Sequence, residues 1–239
     1  MICLLTIFSK TVNRCLTGGE KVSLDLSVIS ASLPFLLEGL LVTLGLTIVS
    51  ILIGIVIGSL AGIARVSKVK ILRSVATVYI DFIRGTPLLV QVFLIYFGIP
   101  GLTGSPVPST VAAIVALSIN SGAYVAEIVR AGIQSIDKGQ EEAAKSLGMS
   151  AVQAMRYIIF PQTIRRILPP LGNEFISLLK ESSLVSAISI EELLRKGQIV
   201  ITRNFRPFEI YITVALMYLV MTLLISQLVR WMERRLRIN

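Results

Sequence analysis

The chain's long apolar runs limit its possible folds more than any other feature. A helix needs about 20 consecutive, mostly apolar residues to cross the hydrocarbon of a bilayer. Five stretches reach that length: Pro34–Ala64, Ser74–Pro100, Pro108–Arg130, Ile167–Ile190 and Ile210–Trp231. Of its 239 residues, 54% are hydrophobic and 15% are charged, whereas soluble domains carry about 25% charged residues. The reading is an all-α integral membrane protein with five transmembrane helices. Residues 1–30 form an extracytoplasmic lead-in, residues 31–233 the transmembrane domain and residues 234–239 a cytoplasmic tail. Ile2–Phe8 is too short to span and has no preceding basic residue, so it does not read as a signal peptide.

Charge placement orients the spans. Net charge is +9 with no histidine, which excludes His-based acid–base or metal chemistry. The basic residues flank apolar spans, which sets nucleic-acid binding aside and leaves membrane lipid as the surrounding partner. Arg65, Lys68, Lys70 and Arg73 follow the first span, six Lys/Arg from Arg130 to Arg166 separate the third and fourth, and four arginines from Arg230 to Arg237 close the chain. By the positive-inside rule this side is cytoplasmic, with the N-terminus out and the C-terminus in. Arg195, Lys196, Arg203 and Arg206, after the fourth span, run against the rule, with Glu191 and Glu192 beside them. Cys3 and Cys15 lie far from any motif, and no metal site is expected.

Two spans carry internal features. Ser50, Gly54, Gly58 and Gly62 recur every four residues and put a smooth stripe on one helix face, suited to close helix packing. Gly85-Thr86-Pro87 interrupts the second span, because proline removes a backbone donor and disfavours helix in the residue before it. A kink or short unwinding is expected there. Asp81 and Arg84 are three apart just before it, so they read as a structural pair holding the kink, with direct substrate contact as the other reading.

Residues 132–161 read as a polar helix–turn–helix between the third and fourth spans. Gly148 ends the first helix, Ser150 caps the second and Pro161 terminates it. From pattern alone this is either an ordinary amphipathic surface hairpin or a stiff element on which a soluble partner pushes. In the second case Ala143 and Ala144 let it enter a cleft and Glu142 anchors it.

Glu142-Ala143-Ala144, Gly148, Ile158 and Pro161 stand at the spacing of the cytoplasmic motif of ATP-binding-cassette importer permeases, with Phe160 where leucine is usual. Arg84 to Gln91, Asn120 to Glu127, Pro169 to Phe175 and Lys180 to Leu184 extend the likeness. Over roughly Leu33 to Arg230 the chain resembles the permease subunits of polar amino acid importers, the histidine, arginine, lysine, glutamine and glutamate permease family. Lys180-Glu181 stands where the family usually has Lys-Asp. The resemblance implies the type I ABC importer permease fold, with the hairpin as its cytoplasmic coupling helix. It implies a chain that is not itself an enzyme, set in the bacterial inner membrane and working as a dimer with a second permease subunit, identical or related. A separate ATPase subunit, an extracytoplasmic solute-binding protein and a polar amino acid substrate are the other implied partners. The chain has no Gly-Lys dipeptide and so no GK[ST] phosphate loop, which assigns ATP and Mg to the partner ATPase, with no cofactor on this chain.

A free amino acid presents an ammonium and a carboxylate, and both need partners away from water. Asn120, Tyr124 and Glu127 fall at i, i+4 and i+7 on one face of the third span. In the fourth span Lys180 and Glu181 lie near the middle, followed by Ser182 and Ser183. These seven residues are the candidate substrate contacts. The other reading makes Lys180, Glu174 and Glu181 structural charges at a subunit interface. A different class, an ATP-independent secondary transporter or channel, would leave the 140–161 element without a task and is the alternative. Tags at Gly104 and at the C-terminus are expected to label from opposite sides of the membrane. Same-side labelling would mean a miscounted span, most readily the broken second one.

Overall fold

A computed structural model describes residues 26–236, and every element among them is helical. The lead-in before residue 26, both cysteines and residues 237–239 of the tail lie outside the described residues. The order is α1 Leu26–Val66, α2 Lys70–Arg84, α3 Leu88–Phe93, a π turn over Leu94–Gly98, α4 Ile99–Thr103 and α5 Ser109–Gln134. Then come α6 Lys138–Ser146, α7 Ala151–Ala154, a second π turn over Met155–Ile159 and α8 Phe160–Glu181. A 3₁₀ stretch over Ser182–Ile188, α9 Leu193–Asn204 and α10 Pro207–Leu236 complete it.

α1 and α5 make the most extensive helix contact, and the glycine stripe explains it. A Cβ at Gly58 would lie 2.5 Å from Val125 Cβ and 2.6 Å from the Gly122 carbonyl. One at Gly62 would lie 2.7 Å from the Ala126 carbonyl. Without side chains there, the two backbones touch. Lipid tails are as apolar as leucine, so close packing of this kind is what holds membrane helices together. Gly132 meets Ile167 across α5 and α8, and Gly172 meets Val229 across α8 and α10, in the same manner.

Among the described residues, three helices are long and apolar enough to cross a membrane alone: Ser27–Val66, Ser109–Gln134 and Pro207–Arg235. The residues of the expected second span form two arms, Lys70–Arg84 and Leu88–Thr103, bent by 104°, the geometry of a broken span or a re-entrant loop. That is far sharper than the expected kink. The fourth expected span is also helical, but Arg165, Arg166, Glu174, Lys180 and Glu181 make α8 too polar to qualify by composition.

The bend is held by side chains. Pro87 has no N–H to offer the Ile83 carbonyl four residues back. The Gln91 amide takes that role: its Nε2 donates to Ile83 O at 2.8 Å, to Thr86 O at 3.1 Å and to Thr86 Oγ1 at 2.9 Å. Its Oε1 accepts from Asn120 Nδ2 at 3.1 Å, which ties the bend to α5. Both amides are buried, where an unmade hydrogen bond costs about 1–3 kcal/mol. The expected Asp81–Arg84 pair is corrected: Asp81 pairs with Arg65 of α1 at 3.1 Å, while Arg84 turns towards Glu127 of α5. Neighbouring helices offer each group a partner of opposite charge across the helix contact, and these replace the local i,i+3 pairing.

Two of the basic residues that run against the orientation rule have acidic partners. Lys196 pairs with Glu38, and Arg206 with the buried Glu209 at 3.4 Å. Glu192 caps α9 by accepting from Leu194 N at 2.9 Å and Arg195 N at 2.7 Å, and Tyr218 donates to it at 2.8 Å. Burial pushes the Glu192 carboxyl above its ordinary range, against the pull of these donors.

Gly58→Val should cost about 1–3 kcal/mol through overpacking against Val125, read as a lower melting temperature in detergent. Gly45→Val is the control, because nothing lies within 4 Å of the Cβ it adds. Equal melting of the two variants would contradict the stripe's role.

Candidate functional site: a hairpin and a charged cavity

The hairpin forms as its residues dictate. Asp137 caps α6 by accepting from Gly139 N at 2.7 Å. At the other end Gly148 takes φ +79°, and its N–H reaches Lys145 O at 2.9 Å while Met149 N reaches Ala144 O at 3.1 Å. This is a Schellman close, which favours glycine because a Cβ is strained at that φ. Ser150 and Gln153 make a reciprocal capping box at the start of α7. Glu142 and Ala143 are exposed while Ala144 is buried, and Leu147 and Val152 project apolar side chains at 83% and 76% exposure. One expectation is corrected: Pro161 does not end the second helix. The π turn at Met155–Ile159 widens the helix immediately before it, and Pro161 sits in the first turn of α8.

A cavity of about 380 Å³ opens at the hairpin end of α5 and α8. Its lining includes Arg84, Tyr124, Glu127, Ser135, Arg166 and Glu174. Glu127 is its electrostatic centre. Arg130 donates to Oε1 from Nε at 2.9 Å and from Nη2; Arg65 donates to Oε2 at 3.1 Å; Arg84 lies 3.9 Å from Oε2. The Arg84 guanidinium also stands over the Tyr124 ring, 5.2 Å from its centroid. Arg166 is tied to the Ser135 carbonyl and, at 3.1 Å, to its hydroxyl. The cavity thus has cations and carboxylates in an otherwise apolar bundle. Among the described residues no group of His, Cys, Asp and Glu is arranged to hold a metal ion.

Of the expected contacts, Tyr124 and Glu127 line this cavity, whereas Asn120 is buried and bonded to Gln91. Lys180 and Ser183 line a separate cavity of about 350 Å³ with Leu194, Tyr211 and Tyr218. The Ser182 and Ser183 hydroxyls donate to the carbonyls of Leu179 and Lys180, and Glu181 is partly buried. The structure therefore separates the two candidate groups. The sequence reading missed Arg65, Arg130 and Arg166, taken as orientation charges only, and Gln91. The available signal for Gln91 was its position: an amide four residues after a helix-breaking proline in an apolar run.

A family model described as "Binding-protein-dependent transport system inner membrane component" matches residues 54–238. The chain is 45% identical to the glutamine transport system permease protein GlnP of Escherichia coli (strain K12) over 215 residues, 90% of this chain and 98% of that one. It is 38% identical to the arginine transport system permease protein ArtQ of Bacillus subtilis (strain 168) over 218 residues, 91% of this chain and 100% of that one. Among solved structures, a crystal structure of an amino acid ABC transporter with histidines superposes with TM-score 0.86 at 48% identity, over 90% of this chain and 100% of that one. An inward-facing structure of the MetNI methionine ABC transporter reaches TM-score 0.73 at 21% identity, over 86% of this chain and 98% of that one, a likeness of fold. The chain belongs to the binding-protein-dependent transport system inner membrane components, the non-enzymatic membrane permeases of ATP-binding-cassette importers.

Proposed function

We propose that this permease carries a polar amino acid inward by alternating access, along the face of α5 that bears Tyr124 and Glu127. The observation that carries the reading is the cavity between α5 and α8, which offers Arg84 and Arg166 beside Glu127 and Glu174. A zwitterion needs both signs of partner, and an acidic group left in lipid costs about 2.5–3.5 kcal/mol on insertion scales. Relatives named for glutamine and arginine transport support the substrate class. Asn120 supports this face from behind through Gln91, and Lys180, Glu181, Ser182 and Ser183 form a second station or a subunit contact near the other cavity.

Five spans, the N-terminus outside and the C-terminus inside, place the α6–α7 hairpin in the cytoplasm. There Glu142, Ala143, Ala144 and Gly148, with Pro161 at the start of α8, meet an ABC ATPase that binds ATP and Mg. An extracytoplasmic binding protein delivers the amino acid, and a second permease subunit, identical or related, completes the passage. The exposed Leu147 and Val152 flank the turn and give the ATPase an apolar surface to grip.

Reconstitution with the partner ATPase and binding protein tests the reading, with labelled glutamine and arginine as probes. ATP-dependent uptake of at least one is expected, and uptake of neither would remove the substrate assignment. Glu127→Gln should lower uptake about tenfold or more, the loss equivalent to one charged hydrogen-bond partner. Wild-type uptake kinetics in that variant would reduce Glu127 to a structural ion pair. Gly148→Trp should uncouple ATP hydrolysis from uptake. Nothing within 4 Å obstructs the new side chain inside the chain itself, so the bulk falls on whatever docks there. Gly148→Ala, which shares the strain of positive φ without the bulk, should stay coupled.

A further inference from the structure

We infer that Arg84 is the carboxylate-recognising residue of the α5–α8 cavity and that Gln91 positions it, an inference that rests on the passage proposed above. The guanidiniums around Glu127 differ in how their donors are filled. Arg130 spends its fork on Glu127 and Gln134. Arg65 bridges Glu127 and Asp81 at 3.1 Å each. Arg166, the other cation in the lining, is held by Ser135. Arg84 differs: its nearest carboxylate oxygen is 3.9 Å away, beyond hydrogen-bond reach, and among the described residues its guanidinium makes no hydrogen bond.

Its place is nevertheless defined. The guanidinium stands over the Tyr124 ring at 5.2 Å, and its side chain is 39% exposed where it borders the cavity. A planar fork supported on an aromatic face, with its N–H edge unfilled, is preorganised for a carboxylate through two parallel hydrogen bonds. Glu127 is the reverse case: both of its oxygens already accept from guanidiniums, so it has little capacity for an incoming ammonium. Glu174, on the same lining, is the carboxylate there to receive one. The roles first read for the α5 face therefore change: Glu127 organises the cations, Arg84 takes the substrate carboxylate and Glu174 takes its ammonium.

Gln91 matters because Arg84 is the last residue of α2, one step before the 104° bend. The Gln91 amide replaces the missing Pro87 N–H at Ile83 O, adjacent in the chain to Arg84, and ties the bend to Asn120. Asn120 lies one helical turn from Tyr124. The clasp thus sets the Arg84 backbone at a fixed distance from the ring it stands over.

Binding to the permease–ATPase complex in lipid nanodiscs tests this, with L-glutamine and L-arginine as probes against their α-carboxamides, which keep the shape and lose the negative charge. The wild-type complex is expected to favour the amino acid by about tenfold or more, the size of one charge-assisted hydrogen-bonded contact. Arg84→Gln should bring the ratio to within about twofold, and Arg84→Lys, with the charge but no fork, to an intermediate value. Gln91→Met should lower the ratio although Arg84 is intact, an effect that general destabilisation would not produce. Arg235→Gln, a change to a guanidinium that stands over Trp231 and lines neither cavity, should keep the ratio. Full discrimination in Arg84→Gln, or no discrimination in the wild type, overturns the inference; an unchanged ratio in Gln91→Met overturns the positioning role. Failure of the underlying passage shows separately, as uptake of neither amino acid by the reconstituted wild-type complex.

Discussion

The close approach of α1 to α5 is the contact on which the other features depend. It exists because Gly58 and Gly62 present no side chain, so one helix backbone lies against Gly122, Val125 and Ala126 of the other. Three residues after Gly62 comes Arg65, and one after Ala126 comes Glu127. Bringing the glycine and the alanine together therefore brings the guanidinium within 3.1 Å of the carboxylate. The charged cavity follows from apolar packing: with the helices a few ångströms further apart, Glu127 would lose Arg65, and Asp81 would lose the partner that draws α2 towards the bundle.

The second constraint is the demand of the apolar environment that every backbone group be paired. Pro87 has no N–H to give Ile83, and Gln91 supplies the shortest bond to that carbonyl, at 2.8 Å. The short bond from the Gln91 side chain adds to longer 3.4 Å contacts from Thr86 N and Thr86 Oγ1, so α2 and α3 meet at 104° and Ile83 O stays paired. The bend then delivers Arg84 to the Tyr124–Glu127 face, where it stands over the ring without a hydrogen-bonded partner. Packing, backbone repair and charge placement form one causal chain from Gly62 through Gln91 to Arg84.

Much of the fold and part of the site were legible in the residues. The glycine stripe announced helix contact, Gly148 and Ser150 announced the turn of the hairpin, and Tyr124 and Glu127 were marked by their shared helix face. Pro161 was misread because a proline looks the same in sequence whether it ends a helix or opens one; the π turn before it decides between the two. The Asp81–Arg84 pair was misread because spacing along one helix says nothing about a competing partner on the next. Arg65 and Arg130 were counted as orientation charges, and their use around Glu127 became visible only with the carboxylate between them.

What the sequence by itself determined is therefore what local chemistry enforces: apolar length, small-residue periodicity, turn-forming glycine and the missing donor of proline. Each acts within a few residues and reads the same in any context. Only the tertiary structure decided which charges meet, how sharply the second span bends and that Lys180 and Glu127 border different cavities. The reason is physical: where apolar surroundings weaken screening, a charge takes whichever partner packing brings nearest, and packing joins residues such as Arg65 and Glu127 that lie 62 positions apart in the chain.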